Sequence, residues 1–108
     1  LTKELPNVDT KVTDALISTL NQDESINVRL AALEALIPYG KQSEVRQALI
    51  QSIKLQNSPL VQVALADAMI MLQEKAAVES FKDMLQSEDV DESIKPKLQS
   101  TIETLRSI

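Results

Sequence analysis

Sliding the chain along itself by 33 residues lays positions 12–44 on positions 45–77 without a gap, and nine of them coincide: Val12/Val45, Ala15/Ala48, Leu16/Leu49, Ile17/Ile50, Ser25/Ser58, Val28/Val61, Ala31/Ala64, Ala35/Ala68 and Ile37/Ile70. A third copy follows at an offset of 32 for Phe81 and Leu85, then 33 for Ile94, Leu98 and Ile102. The extra residue falls in the acidic stretch 88–92, where a loop absorbs it. A fixed period of this length means stacked copies of one supersecondary unit, each burying its apolar face against the next.

Within each copy the apolar residues recur at three- and four-residue spacings, as on one side of a helix. The first half gives Val12, Leu16, Leu20, then Val45, Leu49, Ile53, then Val78, Phe81, Leu85. The second gives Leu30, Leu33, Ile37, then Val61, Leu65, Met69, Leu72, then Ile94, Leu98, Ile102, Leu105. Ser25 and Ser58 stand where N-caps belong, and Pro59 takes the first helical position, whose N–H has no acceptor in any case. Gly40 closes the first pair, Asp91 or Ser93 opens the last helix, and Pro96 falls in its first turn. The spacing predicts helices near 8–21, 25–39, 42–56, 59–73, 75–87 and 91–107. These form an all-α superhelix of three antiparallel pairs, with repeats at about 8–40, 41–74 and 75–108. Residues 1–7 read as the end of an upstream helix, and the whole as part of a longer chain. Composition agrees: one glycine and two aromatics (Tyr39, Phe81) suit helices with short links rather than a sheet.

Charge and residue types exclude several functions. A net charge of −5 argues against a phosphate-binding groove. With neither cysteine nor histidine, no thiolate or imidazole metal site and no nucleophile–imidazole pair can form. One glycine leaves no phosphate-cradling loop. No apolar run approaches the roughly 18–20 residues of a membrane span. Read as a calcium loop from Asp89, the acidic stretch puts Ile94 where glycine is required and Ser100 where a bidentate glutamate is required, so it fails twice. Its acids suit the positive N-terminus of the following helix instead. Nothing here calls for a cofactor, a metal or a catalytic residue.

The run Asp23, Val28, Arg29, Ala31, Ala32, Ala35, Leu36 resembles the HEAT-like repeat: Asp in the intra-repeat turn, then Val-Arg, then alanines leading to Ala-Leu. The signatures of ankyrin and tetratricopeptide repeats are missing. The resemblance covers residues 8–108 and thins along the chain, since Arg29 becomes Gln62 and then Lys95, and Asp23 becomes Gln56. It is closer to short bacterial HEAT-like repeats than to the longer ones of about 40–47 residues. More narrowly, the chain is similar to the C-terminal repeats of Bacteroidetes-type membrane proteins with an N-terminal zinc-binding, anti-sigma-factor-like segment. The resemblance implies that Asp23 and Arg29 are a structural inter-repeat pair whose ladder stops after its first rung. It also implies that the second helices form the contact face.

On that face the outward stripe reads Asn27, Ala31, Glu34 in the first repeat, Leu60, Ala64, Asp67 in the second, and Ser93, Lys97, Ser100 in the third, with Met71 beside it. Asn27, Glu34, Leu60, Asp67, Met71 and Lys97 are the candidate partner-binding residues, and Tyr39 is expected to be half-buried at a helix end. The expected function is a non-catalytic protein–protein interaction scaffold, the sensing or docking part of a membrane-anchored regulator. The partner is another protein or peptide with basic and apolar groups, with no nucleic acid and no direct membrane contact by this domain. A bilin-lyase-like or other enzyme-accessory protein is the alternative. Leu5, Val8, Val12 and Leu16 are expected to form an apolar edge at the N-terminal end, covered by an upstream helix or a dimer contact. Residues Leu16 and Leu49, and Val28 and Val61, are expected to make equivalent core contacts. The compartment is not readable from the sequence.

Overall fold

The computed structural model describes residues 8–108, and the side chains from Thr10 onward. Six α-helices follow in order: α1 (Val8–Gln22), α2 (Ile26–Leu36), α3 (Ser43–Leu55), α4 (Pro59–Met71), α5 (Val78–Gln86) and α6 (Lys95–Arg106). No strand occurs among the described residues. Helices α1, α3 and α5 pack in succession as one layer, and α2, α4 and α6 as the other. The chain is an all-α stack of three helical hairpins. The segment read as the end of an upstream helix, residues 1–7, lies outside the described residues.

Helices α2, α5 and α6 are shorter than the periodicity suggests because one end of each tightens into a 3₁₀ turn. Pro38 has no N–H to continue the α-helical ladder, so α2 gives way to a 3₁₀ turn at Ile37–Tyr39. Similar turns at Lys75–Ala77 and Glu92–Ile94 lead into α5 and α6. Ser25 and Ser58 cap α2 and α4, their hydroxyls accepting the backbone N–H groups of Val28 and Val61 at 3.3 and 3.5 Å. Asp91 accepts the N–H of Ser93 at 2.8 Å. Gly40 has an ordinary helical φ of −67°. It allows close approach, since a Cβ there would meet the end of the Leu72 side chain, which would have to move. The left-handed position falls instead at Gln73 (φ 54°), where Glu74 N–H reaches Met69 O and Gln73 N–H reaches Ile70 O, a Schellman closure of α4.

One core runs through the stack, with Leu20, Leu36, Leu49, Leu65, Phe81 and Leu98 all fully buried. Repeat-equivalent residues share a phase but not an environment. Val61 is 0% exposed and Val45 1%, whereas their counterparts Val28 and Val12 are 42% and 37% exposed. Leu49 is buried and Leu16 half-buried. The equivalence expected of Leu16/Leu49 and Val28/Val61 is therefore corrected. The first hairpin covers these positions in the second, and no described helix covers them in the first. Of the expected N-terminal edge, Val12 is exposed and Leu16 half-buried, Leu5 and the Val8 side chain lie outside the described residues, and Ile26 and Val28 on the same hairpin are exposed beside it. Leu30 and Ile37, expected to be buried, are also only half-buried.

Candidate protein-binding face

The outward side of the second layer is set by helical spacing. Leu60, Ala64, Asp67 and Met71 recur at intervals of four, three and four, which keeps them in one row along α4. Leu60 and Met71 are 64% and 66% exposed, large apolar side chains left in water at the two ends of that row. Asn27, Ala31 and Glu34 are exposed on α2, and Glu34 forms no ion pair among the described residues. The structure joins Asp67 to Lys97 of α6 at 2.6 Å. The two carboxylates of the row, Glu34 and Asp67, are thus not equivalent. Asp67 is balanced by a lysine and Glu34 stands alone. Tyr39 is half-buried in its 3₁₀ turn.

Asp23 and Arg29 do not pair with each other. Asp23 accepts the N–H of Ser25 within its own turn at 2.8 Å. Arg29 donates from Nη1 to Oε1 of Gln56 at 3.0 Å, across the junction into the second repeat. Gln56 is the counterpart of Asp23 one repeat on, so the arginine meets the next repeat's equivalent of that aspartate. Gln56 is 5% exposed. Its Nε2 caps the Leu20 carbonyl at the end of α1 at 2.9 Å, and its own carbonyl accepts Gln62 Nε2 at 2.8 Å. A glutamine suits this place because it both accepts from the guanidinium and donates to the helix-end carbonyl, which a carboxylate cannot do.

The opposite ends of the hairpins carry a tie that the sequence does not disclose. Arg46 donates to the Gly40 carbonyl at 2.8 Å and forms an ion pair with Glu74 at 2.9 Å, joining the first inter-repeat turn to the second. Repetition gives no signal for it, since Arg46 has Thr13 and Val78 as its repeat counterparts.

No group of three or more carboxylates among the described residues is placed to hold a metal ion. No described helix is long and apolar enough to cross a membrane. Helical hairpins stacked in two layers define a helical-repeat fold. The chain belongs to the HEAT-repeat family, described as HEAT repeats, which matches residues 13–95. Repeats of this family generally mediate protein–protein interactions and are typically non-catalytic scaffolds. Neither a curated protein nor a solved structure matches the chain.

Proposed function

We propose that this domain is a non-catalytic docking module whose contact face is the outward row of α2, α4 and α6. The observation that carries the reading is the pair Leu60 and Met71, 64% and 66% exposed on a single row of α4. Apolar side chains of this size, spaced along one helix with a free carboxylate at Glu34 nearby in the layer, suit a partner helix or extended segment bearing apolar and basic groups. Asn27, Asp67 and Lys97 supply the polar surround, with the Asp67–Lys97 pair fixing the charge between α4 and α6. The N-terminal edge is a second contact surface, where Val12 and Val28 of two copies meet. The same proposal extends to the parent, a membrane-anchored regulator of the anti-sigma-factor-like kind. That extension rests on the family resemblance, and a Cys/His cluster and a membrane span upstream in the full-length sequence would test it.

A photo-crosslinking residue placed at Leu60 or Met71 in the native host tests the docking face. The expected result is one discrete adduct, identified by mass spectrometry, that is missing when the probe is moved to Gln47 or Glu79 in the other layer. Equal adducts from all four positions would overturn the reading.

A further inference from the structure

From the way the inter-repeat ladder changes between its two steps, we infer that the cavity at the second junction receives an arginine side chain from a partner protein. The first junction is closed by Arg29 and Gln56. At the second, Gln62 takes the place of Arg29 and Asp89 that of Gln56. Gln62 turns back to its own turn, donating Nε2 to the Gln56 carbonyl. Asp89, as a carboxylate, has no proton to give the Ile53 carbonyl, the counterpart of Leu20, and no hydrogen bond from the third repeat reaches that carbonyl. A cavity of about 380 Å³ lies there, lined by Ile53, Gln62, Ser80, Asp83, Met84 and Asp89 among others.

The lining is rich in acceptors. Ser80 is 7% exposed and Gln62 6%. The Ser80 hydroxyl and the Gln62 Oε1 have no hydrogen-bond partner among the described residues. Asp83 and Asp89 bring two carboxylates against one lining cation, Lys54, whose 3.6 Å contact with Asp83 is exposed and leaves Asp89 unpaired among the described residues. The C-terminal ends of α3 and α5 both border the space and add partial negative charge. Ile53 and Met84 offer apolar surface for a methylene stem. A guanidinium matches this set because it is all donor, permanently charged and able to engage several acceptors at once. An adjoining shelf of Ile50 and Leu55, the latter 62% exposed, takes an apolar residue next to that arginine.

This inference rests on the protein-docking reading but names a different surface. The test is an amide NMR titration of the domain with acetyl-alanyl-leucyl-arginyl-alanine amide, and with its twin carrying neutral citrulline for arginine. The expected result is shifts confined to Gln56, Gln62, Ser80 and Asp89, and affinity about tenfold weaker for citrulline. Asp83→Asn and Asp89→Asn should each weaken the arginine peptide by about two- to fivefold. Asp89→Gln, which restores a donor for the Ile53 carbonyl, should close the cavity, abolish binding and leave the domain at least as stable to heat. Equal binding of the two peptides, or no shifts at all, would overturn the proposal. So would shifts confined to the α2, α4 and α6 row, and that outcome would leave the docking reading in place.

Discussion

Gln56 Oε1 accepts from Arg29 Nη1 at 3.0 Å while Gln56 Nε2 donates to the Leu20 carbonyl at 2.9 Å, so one buried side chain ties α1, α2 and the second repeat together. Truncation would leave the helix-end carbonyl and the guanidinium without partners, and the Arg29 Nε is already buried without a hydrogen bond. Gln56→Ala should therefore cost about 1–3 kcal/mol by urea denaturation. A double-mutant cycle with Arg29→Ala should show the two changes to be non-additive. Strict additivity would mean that the contact contributes nothing to the junction.

Matched truncations at equivalent repeat positions separate a real core from a merely periodic one. Val61→Ala should cost about 1.5–3 kcal/mol, since Val61 is fully buried. Val28→Ala should cost less than about 0.5 kcal/mol, as for an exposed site. Val28→Lys should also suppress any concentration-dependent self-association seen by sedimentation. Equal costs at the two valines would show that something covers the first hairpin.

Gln73 holds a positive φ of 54° where helices usually end on glycine. Gln73→Gly removes the Cβ conflict at that position and should stabilise the domain by about 0.5–1 kcal/mol. Thermal or chemical denaturation would show it, and a loss of stability would contradict the backbone assigned to the α4 terminus.

The stack, its caps and its core were legible because repetition samples the same pattern three times. Ser25 and Ser58, Leu49 and Leu65, and the exposed row through Leu60 and Asp67 all stand where the periodicity puts them. What the period conceals is context. Val28 and Val61 are the same residue in the same phase, yet only Val61 has a hairpin packed over it. The resemblance pairs Arg29 with Asp23, whereas stacking brings it to the next repeat's Gln56. The Asp67–Lys97 pair depends on how α4 and α6 align, which spacing within either helix does not contain. Gly40 closes the first pair as its position suggests, but that Leu72 packs against it and that the left-handed residue is Gln73 show only in the packed structure.

The hydroxyl and then the backbone N–H of Ser93 hold the Asp91 carboxyl below its ordinary range. A carboxylate with a depressed folded-state value contributes stability that is present above its unfolded value and lost as pH falls through the folded one. Asp91→Ala should therefore be less stable than the parent at neutral pH. That difference should shrink as the solution is acidified below the usual carboxylate range. A gap that stays constant across that range would assign the effect to something other than the charge.

Once a crosslinked partner has been purified, calorimetric titration against the Leu60→Glu/Met71→Glu variant tests the docking face most directly. Both side chains stand in water, 64% and 66% exposed, so the folded domain should keep its thermal midpoint and helical circular dichroism. Binding should fall by at least about tenfold, because two apolar anchors are lost and two charges are placed against the partner. Unchanged affinity in a variant that remains folded would contradict the assignment of the α2, α4 and α6 row as the surface through which this HEAT-repeat domain works.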